Sequence, residues 1–97
     1  MIKRSDRIEP TAYQWKYVND LVYLDGINGS YVLNSIGSKI WKMLDGFTTL
    51  DAIIKQVMIE EEENDEHEVE IVVTEFLEML AEHSFVAINS SDVEEEW

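Results

Sequence analysis

Few side chains of this chain stand where they could do chemistry together. Gly29-Ser30-Tyr31 sets a serine beside a glycine, but a nucleophile turn needs glycines two residues to either side of the serine, and these are missing. Gly37-Ser38-Lys39 has the ending of a phosphate-binding loop. Val32 occupies the place where that loop's first glycine belongs, so there is no glycine-rich cradle of backbone N–H groups. Glu63, His67 and Glu70 could share a helical face and offer a metal one imidazole and two carboxylates. A solvated helix start accounts for them more simply. His83 suits the negative end of a helix better than the role of a base. With no cysteine, disulfides, thiolate metal sites and thiol nucleophiles are excluded together. The expectation is a protein without catalytic residues, metal or cofactor, and so not an enzyme.

Charge says more about partners. The formal net charge is −14, unevenly spread: all 7 Lys and Arg residues lie at or before Lys55, whereas most of the 21 Asp and Glu residues follow Gln56. Either this is a solvated acidic helix face and tail, or it is a surface that selects a basic partner and repels nucleic acid. Only the second predicts a salt-sensitive association. A small sheet followed by helices is also the outline of a winged helix-turn-helix. Duplex DNA is nevertheless excluded, because the helix that would enter a groove carries Glu68, Glu70, Glu75, Glu78 and Glu82 and no cation to neutralise phosphate. The opening residues lack an apolar signal core and no apolar run approaches a membrane span, which makes the cytoplasm the default expectation.

The elements follow from periodicity. Ala12 to Asn19 alternates, with Tyr13, Trp15 and Tyr17 on one side, and reads as a half-buried strand. Asn19-Asp20 is a turn signal and Leu21 to Asp25 a second strand. Asp25-Gly26 and Asn28-Gly29 lead through a hairpin to a third, Ser30 to Leu33. A first helix starts at Asn34 or Ser35, carries Ile36, Ile40, Trp41 and Leu44, and is expected to end on Gly46 as a left-handed cap. Thr48 or Thr49 caps a second helix with Leu50, Ile53, Ile54 and Val57 on one stripe. A break is expected between Glu62 and Glu66, then a third helix over residues 67–83. On that helix Val69, Val72, Val73, Phe76, Leu77, Met79 and Leu80 cover an arc of about 160°, wider than the roughly 100° stripe that packing on one layer needs. The excess either touches two layers at once or lines an open groove. The expected fold class is α+β, a three-stranded antiparallel sheet followed by three helices. Residues 1–9 read as a flexible lead-in, 10–88 as one domain and 89–97 as an acidic disordered tail, with Trp97 unexplained.

The run LVYLDGINGSYVLNSIGSKIWKMLDGFTTLDAI, together with Val73, Phe76, Leu77 and Leu80, resembles the PqqD-like family of leader-peptide recognition elements. The resemblance spans roughly residues 7–88 and implies a winged-helix-like adaptor without catalysis. It would bind the leader segment of a ribosomally made precursor peptide as a strand added to the third strand, and present it to a modifying enzyme or leader protease. Lasso-peptide, radical-SAM and quinone-cofactor pathways all use such elements, and the small discrete chain favours the leader protease. The site residues implied are Ser30, Tyr31, Val32, Leu33, Val69, Val72, Val73 and Phe76. The acidic stretch at residues 60–66 and the acidic tail depart from the family pattern. The competing expectation is an acidic interaction subunit that regulates a basic protein without any leader peptide.

Overall fold

The computed structural model describes residues 2–12, 14–26 and 29–89. Tyr13 of the first expected strand, Ile27 and Asn28 of the hairpin, and residues 90–97 of the expected tail, Trp97 included, lie outside them. Among the described residues eight elements run β1 (Arg7–Pro10), β2 (Gln14–Val18), β3 (Leu21–Gly26), β4 (Gly29–Val32), α1 (Ser35–Met43), α2 (Leu50–Glu60), α3 (Glu66–Glu82) and β5 (Val86–Asn89). β2, β3 and β4 form an antiparallel meander in chain order, so β2 and β4 are its two edges. The α+β architecture expected from the sequence is the one observed.

The turn chemistry explains the meander's first hairpin. Asn19 (φ 55°) and Asp20 (φ 66°) both take left-handed backbone, the requirement of a tight two-residue turn, and they set Val18 opposite Leu21. At the same end of the sheet the ladder between β3 and β4 is modified. Leu33 N–H donates to Val22 O at 2.8 Å, but the reciprocal bond is replaced by a side chain: Val22 N–H donates to Ser38 Oγ (2.9 Å), which donates to Leu33 O (3.2 Å). Ser38 is buried, so this hydroxyl satisfies two backbone groups that would otherwise be orphaned.

Helix ends obey capping rules. Asn34 Oδ1 accepts from Gly37 N–H, Thr49 Oγ1 from Ala52 N–H and Asp65 Oδ1 from Glu68 N–H. The break between α2 and α3 falls within the acidic run, as expected from the opposed preferences of helix ends for negative charge. The expected Gly46 cap is not what ends α1. The helix closes at Leu44, whose N–H bonds Trp41 O, and Gly46 (φ 85°) instead donates its N–H to Ile8 O at 3.1 Å. Asp45 holds the turn, accepting from Phe47 N–H, Thr48 N–H and Thr48 Oγ1 within 2.9 Å. The backbone donors of Phe47 and Thr48, chiefly, keep its carboxyl below the usual range.

Residues 2–9, expected as a lead-in, are bonded to the rest of the fold. β1 pairs with β5, Ile8 opposite Ile88, and its other side bonds the segment before α2 through Ile8 N–H to Thr48 O and Leu50 N–H to Asp6 O. Ile2 and Ile8 are buried in the core with Trp41, Leu50, Ile53, Leu77 and Phe85. Arg4 fixes this segment to the helices through Asp51, Glu66 at 2.8 Å and Glu70 at 3.2 Å. Glu70, first, and Asp51 hold the guanidinium charged, and Arg4 in turn keeps both carboxyls below their usual range.

β2 departs from expectation. Trp15 and Tyr17 do face the same side as buried Val22 and Leu24, yet all of β2 is exposed, because only the margin of α1 reaches it. Trp15 reaches only the edge of Trp41, ring centroids 5.8 Å apart at 73°, and Tyr17 carries Lys42 Nζ 4.4 Å above its ring. Among the described residues, no helix is long and apolar enough to cross a membrane.

Candidate functional site: the β4 edge and the α3 flank

The register of β4 decides which of its backbone groups are free. Val22–Leu33 is a hydrogen-bonded pair, and in an antiparallel ladder such pairs alternate with pairs that do not bond. Leu24–Tyr31 therefore bonds, while Tyr23–Val32 and Asp25–Ser30 do not. The N–H and C=O groups of Ser30 and Val32 point away from β3, along an edge that no other described strand covers. The side chains divide by the same parity. Tyr31 and Leu33 face the core; Val32, 55% exposed, and Ser30 lie on the outer face, where Ser30 Oγ donates to Asp25 Oδ1 at 2.6 Å.

Three contacts show how α3 runs beside this edge. Tyr31 stacks at 4.9 Å on His83, at the C-terminal end of α3. Phe76 lies so close over Gly37 that a Cβ there would come within 2.9 Å of its ring. Ile36 shares a cleft of about 380 Å³ with Val69, Val72 and Val73 near the start of α3. The helix is thus antiparallel to the path of β4 and the first turn of α1. Its wide apolar arc resolves into two parts. Val69, Val73, Leu77 and Leu80 are buried in the core, while Val72 and Met79 stay exposed and Phe76 is half-buried on the flank toward α1.

Of the eight residues expected to form a site, then, Ser30 and Val32 present edge backbone, Tyr31 and Phe76 are half-buried between layers, and Val72 is open. Leu33, Val69 and Val73 are core, and only Val69 and Val73 among them also border the cleft. Sequence reasoning missed Ile36, whose period within α1 reads as core but which is 36% exposed, and Met79. It also missed that Glu61, Glu63 and Glu68 stand around the cleft's mouth. Lys39 Nζ sits 2.8 Å from Glu61, which raises the ammonium's pKa above its ordinary value. Glu63 and Glu70 line different clefts, and among the described residues no three metal-ligating side chains converge.

An uncovered strand edge beside an apolar helical flank is a place for backbone pairing with side-chain selection. Residues 20–86 match the family model of coenzyme PQQ synthesis protein D, PqqD. The chain belongs to the PqqD family. A solved structure described as "TbiB1 in Complex with the TbiA(beta) Leader Peptide" is similar to it, with a TM-score of 0.66 at 21% identity over 97% of this chain and 98% of that one. At that identity the likeness establishes the fold. No curated protein matches the sequence. The PqqD match begins at Asp20, leaving β1 and β2 outside it, whereas the solved fold covers nearly the whole chain.

Proposed function

We propose that this chain is a non-catalytic adaptor that binds the leader segment of a ribosomal precursor peptide as a strand added to β4. It then presents the peptide to a maturation enzyme, a leader protease or a peptide-modifying enzyme, in the cytoplasm. The observation that carries this reading is the pairing of two features: outward backbone groups at Ser30 and Val32, and an apolar flank of Val72, Phe76 and Met79 alongside. Main-chain bonds give generic affinity, and the flank reads alternate side chains. Membership of the PqqD family and the leader peptide named with the similar fold support it.

The test uses synthetic peptides of about 20 residues covering short reading frames beside the gene, a length that an extended strand with flanking anchors requires. Titration calorimetry is expected to show one peptide bound per chain, and mass spectrometry to show that peptide unchanged after incubation. Turnover by this protein alone, or no binding by any such peptide, would overturn the proposal.

A further inference from the structure

Past Leu33 the proposed peptide path runs into the cleft between the first turn of α1, the end of α2 and the start of α3. Its floor is aliphatic: Ile36 and Val72 remain 36% and 49% exposed, with Val69 buried beneath them. Its mouth carries Glu61, Glu63 and Glu68. Lys39 pairs with Glu61, while no cation among the described residues pairs with Glu63 or Glu68. The cleft, at about 380 Å³, exceeds what one side chain fills. In an extended strand, residues two apart point to the same side, so two side chains of a docked peptide can enter together.

We propose that this cleft takes an apolar-x-basic segment of the bound peptide. An aliphatic side chain rests on Ile36 and Val72, and the Lys or Arg two positions along lays its methylene stem on the same wall and its head between Glu63 and Glu68. Charge complementarity selects this occupant: an acidic or purely apolar segment would leave the two carboxylates facing a like charge or nothing. The inference rests on β4 being the docking edge and adds to it the chemical class of residue that is read.

A displayed library of random peptides, each about 20 residues long, selected on the full chain tests both levels separately. Enriched peptides are expected to carry the apolar-x-Lys/Arg pattern and to lose binding to Val32→Pro. A synthesised member should bind E63Q/E68Q about three- to tenfold more weakly, as two exposed ion pairs imply, and its variant with glutamine for the basic residue should bind both proteins alike. Peptides that need the β4 edge but show no basic preference, or that ignore E63Q/E68Q, overturn the cleft assignment and leave the adaptor standing. No enrichment, or binding indifferent to Val32→Pro, overturns both.

Discussion

The two edges of the meander are alike in backbone and unlike in surroundings. Counting from the Val18–Leu21 turn, Trp15 and Tyr17 point their N–H and C=O groups outward from β2, as Ser30 and Val32 do from β4. Beside β2 the described residues form no apolar wall: Trp15, Lys16 and Tyr17 are all exposed, and a lysine on an edge discourages further pairing. Beside β4 stands α3 with Phe76, Val72 and Met79. A free edge is therefore not by itself a binding site. The neighbouring wall turns generic hydrogen-bonding capacity into selective recognition.

Proline substitution gives the largest effects and separates the edges by parity. Tyr31→Pro removes an N–H directed at β3 and should cost roughly 3 kcal/mol or more, losing most of the fold in a urea melt. Val32→Pro removes an N–H from the outer edge. It should melt near the wild type yet fail to bind leader peptide in calorimetry. Tyr17→Pro, the matching position on β2, should both fold and bind; loss of peptide there would break the comparison.

A smaller effect sharpens it. Val72→Gln changes an exposed helical position, so stability should move by no more than about 0.5 kcal/mol. Peptide affinity should fall about tenfold, as expected when one aliphatic side chain is withdrawn from a binding wall. An unchanged affinity would mean that the α3 flank is no wall.

The smallest effect should leave both edges untouched. Asp51 and Glu70 have carboxyls lowered by Arg4, so their contribution is complete above the unfolded carboxylate range and fades as pH falls through their lower folded values. Between neutrality and about pH 4.5 the hold on residues 2–6 should be constant, and below about pH 4 it should loosen. Hydrogen exchange reads this at the Asp51 amide, which donates to Arg4 O; protection of Leu33 should not follow it.

Most of the meander and all three helices were legible because each announces itself locally, by a turn dipeptide, a period or a cap. β1 and β5 were not. Arg7-Ile8-Glu9-Pro10 contains a single core residue, Ile8, and its strand character exists only through partners about forty and about eighty residues away in sequence. The third strand was recognisable as a docking edge, but not its parity, which depends on the hydrogen bond from Leu33 to Val22. On α3 the excess apolar width was visible and its meaning was not, since only the position of Phe76 over Gly37 shows which flank is open. The acidic run read either as a solvated stretch or as a surface for a basic partner, because nothing local brings Glu61, Glu63 and Glu68 to the cleft that Ile36 lines.

The pairing of β1 with β5 differs from the other pairings in the length of chain it encloses. Residues 21–82, which make the β4 edge and the α3 flank, are joined by hairpins and short turns, so they meet at small loop-closure cost. The clasp between residues 7–10 and 86–89 encloses all of that stretch, so it closes the longest loop among the described strands. The recognition groove is thus tied together by two segments that both lie outside it in sequence.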